Sequence, residues 1–151
     1  MRWVISLLVA VLVGYSLSIV INASVSAATL VGFGIEVSLS DRLNMIGKEW
    51  VGLGTVYLPL YLVLHAICFW LLGLVLRNRA VTTVVARAAY AGVGALSLTA
   101  FYLTFDAVMG SGGVVVASTR TTAGLFAHAA TGAVSGFLVH LLNHGSNSQS
   151  D

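Results

Sequence analysis

The stretch WVISLLVAVLVGYSLSIVI, Trp3 to Ile21, contains no charged side chain. A helix that crosses a bilayer needs about 20 mainly apolar residues, and this run supplies one. Working outward, three more such runs follow, at about 52–76, 81–108 and 121–142. The second stops at Arg77 and Arg79. The third holds Arg87 in its first turns and Asp106 near its end, and a polar tail from Asn143 to Asp151 follows the fourth. The expected fold is an all-α membrane protein: a four-transmembrane-helix bundle forming a single domain over 1–151.

Composition points the same way. Of 151 residues 58% are hydrophobic and 8% charged, with a mean hydropathy of +0.98. A soluble domain carries roughly 25% charged residues. The net charge of +2 is small and scattered, which argues against a nucleic-acid footprint. Cys68 is the single cysteine, so no intrachain disulfide forms. Zinc-type Cys/His spacing is absent.

Arg2, the first apolar run and Val25-Ser26-Ala27 also fit a cleavable secretory signal. The run is longer than the 7–15 residues of a signal core, so it is expected to be retained as a helix. Between the first two runs, Ala28 to Leu39 is apolar and rich in Gly and β-branched residues, including Gly32 and Gly34. It lies in the interface, re-enters the bilayer or forms a short hairpin. From Ser40 to Trp50, Leu43, Ile46 and Trp50 share one helical face, while Asp41, Arg42, Lys48 and Glu49 lie elsewhere. The segment reads as a short amphipathic helix, interfacial or packed as a lid on the bundle. Ser40 or Asp41 is its expected N-cap, and Trp50 sits at headgroup level.

Arg2, Arg77, Arg79 and Arg87 fall at one side of the expected bundle; Arg42, Lys48 and Arg120 fall at the other. The Arg77/Arg79 pair in a short loop favours the cytoplasm, which places both termini there.

Lipid removes the hydrophobic drive between helices, so close packing through small residues substitutes for it. Ala10, Gly14, Ser18, Asn22 and Ser26 recur every four residues in the first run, and Ala88 and Gly92 in the third. In the fourth, Gly124, His128, Gly132, Gly136, His140 and His144 do so, with Gly132 and Gly136 forming a GxxxG. Each ridge either packs inside the bundle or faces outward toward a partner subunit.

Ionisable and polar groups inside a span are candidate sites. Tyr57, Tyr61 and His65 form a four-residue stripe in the second run, which Pro59 interrupts, freeing a carbonyl. Either His65 bonds a hydroxyl of a neighbouring helix, or it serves a ligand, an ion or a proton. At about 1.5 Å per residue, His65 falls roughly 20 Å below the outer end of its run, His128 about 10 Å and His140 about 28 Å. These levels do not match well enough for two axial haem ligands. They do allow a ladder of histidines for a water-linked proton path. Asp106 and Arg120, across the Gly110–Gly113 loop, are an expected interfacial pair of a structural kind. That loop lacks the Lys-Ser/Thr of a phosphate loop. No nucleophile or zinc-protease motif occurs, and Cys68 reads as a small packed hydrophobe.

Trp50 through Pro59, and Arg120-Thr-Thr-Ala-Gly-Leu125 leading to Gly132 and Gly136, resemble segments of short four-helix bacterial inner-membrane proteins of no assigned activity. The resemblance covers a minor part of the chain and implies a bacterial inner membrane, with no mechanism and no functional residues.

The expected function is that of a non-catalytic accessory subunit that stabilises a larger membrane complex. Its partners are the lipid bilayer and other membrane subunits or further copies of itself. The alternative is a small oligomeric transporter or channel using the stripe around His65. A haem- or quinone-binding redox subunit is a weaker alternative. No metal is expected, and among cofactors only haem is a candidate.

Overall fold

The computed structural model describes residues 1–109 and 117–144, the side chains of Asp106, Val108, Met109, Ala117, Arg120 and His144 excepted. The described chain is all-helical: α1 (Arg2–Gly32), α2 (Leu39–Gly54), α3 (Tyr57–Arg77), α4 (Thr83–Met109) and α5 (Thr122–His144). A 3-10 turn at Ala117–Arg120 precedes α5. α1, α3, α4 and α5 are long and apolar enough to cross a membrane.

Helix α1 has no internal Pro and runs on through Ala28 to Gly32, so residues 28–32 of the expected interfacial, re-entrant or hairpin piece continue this helix. At 1.5 Å per residue its 31 residues span roughly 46 Å, beyond a hydrocarbon core of about 30 Å. It ends where Gly34 takes φ +80°, a conformation open to glycine without Cβ strain. There the Gly34 N–H donates to the Val31 carbonyl at 2.9 Å and the Ile35 N–H to Leu30 at 3.1 Å. The two bonds close a Schellman cap.

The N-cap of helix α2 lies two residues before the first expected cap. Ser38, not Ser40 or Asp41, is the N-cap. Its hydroxyl accepts from the Asp41 N–H, and the Asp41 carboxylate accepts from the Ser38 N–H in a capping box. The Ser38 hydroxyl also donates to the Asp41 carboxylate at 2.6 Å, and this bond first, then that from the Ser38 N–H, holds the Asp41 carboxyl below the usual range. Ile46 and Leu53 pack against the core, whereas Leu43, placed by its spacing on the inner face, is 61% exposed. Gly52 to Gly54 belong to α2, so the span expected from residue 52 begins at Tyr57 after a bend. Pro59 therefore lies in the first turn of α3, where N–H groups have no helical acceptor in any case, and it interrupts nothing.

Trp3, Arg77, Thr83 and Asn143 line one cavity, so the start of α1, the end of α3, the start of α4 and the end of α5 meet at one end. The helices thus alternate in direction. α1 packs on α5 and α3, and α4 packs on the same two. The α4–α5 interface is the tightest. A Cβ added at Gly94 would overlap the Gly132 backbone, one at Gly132 would overlap Gly94, and one at Gly136 would overlap Tyr90. Such backbone contact needs small residues on both helices. The outward faces are apolar, with Leu96 70%, Phe126 70% and Trp70 56% exposed.

Gly132→Leu is expected to destabilise the bundle by at least about 1–3 kcal/mol through overpacking. Gly92→Leu, at a position where a Cβ meets nothing, should leave stability unchanged. Thermal midpoints of the detergent-extracted variants check both.

Candidate functional site

The four-residue ridges of α1 and α5 face inward, and their polar members meet. Ala10, Gly14, Ser18 and Asn22 are buried on α1. His128, Ser135 and His140 are buried on α5. Gly14 is held tightly: an added Cβ would overlap the Ser135 hydroxyl and lie 3.2 Å from the Thr131 carbonyl.

His128 is the centre of a connected polar network. Its Nδ1 lies 2.7 Å from the Ser18 hydroxyl on α1. Its Nε2 lies 2.7 Å from the Ser118 hydroxyl in the 3-10 turn. A neutral imidazole donates from one nitrogen and accepts at the other, and each serine hydroxyl can rotate to match. Ser18 also meets the Tyr57 hydroxyl at 3.2 Å, and Tyr57 in turn bonds the Tyr102 hydroxyl of α4. On the other side, the Ser118 N–H donates to Asn22 Oδ1 at 3.2 Å, and Asn22 Nδ2 donates to Glu49 Oε2 at 2.8 Å. One chain of hydrogen bonds therefore runs from α2 through α1, the 3-10 turn and α5 to α3 and α4.

Deeper in the bundle, Ser135 lies 3.0 Å from the Tyr61 hydroxyl and donates to the Ala10 carbonyl at 3.1 Å. This arrangement closes the α1–α3–α5 contact. Toward α2, the Tyr15 hydroxyl donates to the Trp50 carbonyl at 2.6 Å, and Trp50 Nε1 donates to Ser16 at 3.1 Å.

His65 stands apart from this network. It is fully buried, its ring stacked on Tyr61 at 4.2 Å and edge-on to Phe69 at 5.1 Å. Its Nδ1 bonds the Tyr61 carbonyl at 2.9 Å, so Nδ1 carries the proton and Nε2 is the acceptor. Nε2 is buried with no partner among the described residues. Because α3 begins at Tyr57, His65 lies only about 12 Å from its start and His128 about 9 Å from the start of α5. The mismatch in depth expected from sequence is thus removed, yet His128 offers a haem iron no free nitrogen. His140 lies at the other end of the molecule, 5.5 Å from the Tyr90 ring.

Of the residues singled out by sequence, Ser18, Tyr57 and His128 come together, and Gly14 and Tyr61 meet at Ser135, which the sequence analysis does not single out. Gly132 and Gly136 form the α4 contact, and Gly124 packs where a Cβ would overlap the Ser118 carbonyl. The side chains of Asp106 and Arg120 lie outside the described residues. Sequence spacing does not reveal Ser118, Asn22 and Glu49 as members of the His128 network. Asn22 carried a signal, as a polar residue one step beyond Ser18 on a four-residue ridge. Ser118, in a loop, carried none. Among the described residues no group of three His, Cys, Asp or Glu is placed to hold a metal ion. No family model, curated protein or solved structure matches the chain.

Removing the Ser118 hydroxyl leaves a buried ring nitrogen of His128 without a partner, a loss of about 1–3 kcal/mol. Ser118→Ala is therefore expected to lower the unfolding midpoint. Ser24→Ala, which removes an exposed hydroxyl bonded to its own helix, should not. Both are read in the same detergent.

Proposed function

We propose that the chain is an integral protein of a bacterial inner membrane, with both termini cytoplasmic. In this reading it is a non-catalytic accessory subunit that docks onto a larger membrane complex through the outer face of α4. The observation that carries this reading is the contrast between the ridges. Those of α1 and α5 are consumed inside the bundle. Ala88 and Gly92 on α4 face outward in line with Leu96 and Ala100, and a Cβ at Gly92 would meet nothing within 4 Å. A small-residue ridge on an exposed helix admits another helix at close range.

The polar interior supports the same reading. The His128 imidazole is bonded at both nitrogens to serine hydroxyls, and His65 is fully buried against Tyr61 and Phe69. The orientation is supported by charge. Arg2, Arg77, Arg79 and Arg87 gather at one end, and cytoplasmic ends of spans carry the excess of Arg and Lys.

Native mass spectrometry of the complex extracted gently from its own membrane tests the proposal. The expected result is the 15.7 kDa chain bound to larger, different chains, with the association lost in Gly92→Leu. A lone chain, or an assembly indifferent to Gly92→Leu, would overturn docking through α4.

A further inference from the structure

At the end of the bundle opposite the His128 network lies a cavity of about 780 Å³ between α3 and α4, floored by residues of α1 and α5. We infer that this cavity binds an anionic amphiphile with a phosphate headgroup, the phosphate held by Arg77 and Arg87 and the tail lying between α3 and α4. The inference rests on the membrane insertion proposed above, and not on docking through α4.

Charge is the first support. Arg77, Arg79 and Arg87 at this end have no carboxylate near them among the described residues. Glu36, Asp41, Glu49 and Asp106 all belong to the opposite end, where α1 and α4 finish and α2 lies. Arg77 and Arg87 both line the cavity. Arg87 is half-buried, and its Nε is shielded from solvent with no hydrogen-bond partner among the described residues. A guanidinium offers five donors in a planar fork suited to phosphate, and both arginines border the cavity.

The backbone adds a second attraction. Thr83, the first residue of α4, lines the same cavity. The N–H groups of that long helix's first turn point toward this end, and a helix N-terminus favours an anion.

The remaining wall is apolar and aromatic. Trp70 and Leu74 line the cavity and are 56% and 45% exposed, so it reaches the outer surface of the bundle between α3 and α4. Trp3 contributes from α1. Tryptophans of this kind sit at the headgroup level of a bilayer. A ligand with its charge at Arg77 and Arg87 and its chain along Trp70 and Leu74 would match both halves of the lining. A free inorganic anion would use only one half. A zwitterionic lipid would bring a cation of its own toward the arginines.

The test uses the full-length chain in zwitterionic detergent, with phosphatidylglycerol, phosphatidylcholine or inorganic phosphate added. Lipid adducts are counted by native mass spectrometry and thermal midpoints are measured alongside. Phosphatidylglycerol should be retained and should raise the midpoint; phosphatidylcholine and phosphate should do neither. Arg77→Gln, on an exposed side chain that the fold does not need, and Arg87→Gln should each weaken phosphatidylglycerol retention by about tenfold, the weight of a charge-assisted hydrogen bond.

Equal retention of both lipids, or unchanged retention in Arg77→Gln, would overturn the proposal. Stabilisation by inorganic phosphate alone would overturn the amphiphile and leave an anion site. Carbonate extraction of native membranes reads insertion separately. A chain released by carbonate would overturn the membrane reading, whatever the headgroup dependence.

Discussion

His128 holds hydroxyls from two different segments at once, Ser18 of α1 and Ser118 of the turn before α5, each at 2.7 Å. An imidazole buried among apolar helices is costly unless both nitrogens find partners, and here both do. The pairing demands that α5 turn a polar face, His128, Thr131 and Ser135, toward α1. That orientation is available because the same helix carries glycines at the positions where it touches α4. Gly132 and Gly136 let the α4 and α5 backbones meet, which sets the rotation of α5. The polar ridge then has one place to go.

From that constraint the rest of the interior follows. Tyr57 and Tyr61 on α3 reach Ser18 and Ser135 and so bring the fourth helix onto the other three. Asn22 continues the α1 ridge by one step, accepts from the Ser118 backbone and donates to Glu49, tying α2 to the bundle. Each such bond is modest in a membrane, on the order of 1 kcal/mol. Their shared members make them act together. Of the polar residues that would be read as a site from sequence, Tyr57, Tyr61 and His128 are therefore joints of the bundle. What the bundle leaves unused is at its margins: the Ala88/Gly92 ridge of α4, and Arg77 and Arg87 at one end, which have no carboxylate near them among the described residues.

The four long apolar helices were legible because hydropathy over about 20 residues is a strong signal. The inward ridges were legible as four-residue repeats of small and polar residues. Boundaries were harder. Residues 52–56, Gly-Leu-Gly-Thr-Val, carry no charge, so a hydropathy window does not register the bend before Tyr57. That error moved His65 deeper than it lies and made Pro59 look like an interruption. Ser38, Ser40 and Asp41 are all competent N-caps by type, and only the reciprocal bond with Asp41 selects Ser38. The link between Ser118 and His128 had no periodicity to reveal it, since it depends on how a loop folds back over α1.

The central claim is that Ser18 and His128 act as one structural unit, and a double-mutant cycle tests it most directly. Unfolding free energies of wild type, Ser18→Ala, His128→Phe and the double variant are measured in one detergent. Coupling of about 0.5–3 kcal/mol, the range for residues in one hydrogen-bond network, is the expected result. Additive losses within about 0.3–0.5 kcal/mol would contradict the account, because the two side chains would then contribute independently and the bridge would not hold α1 to α5.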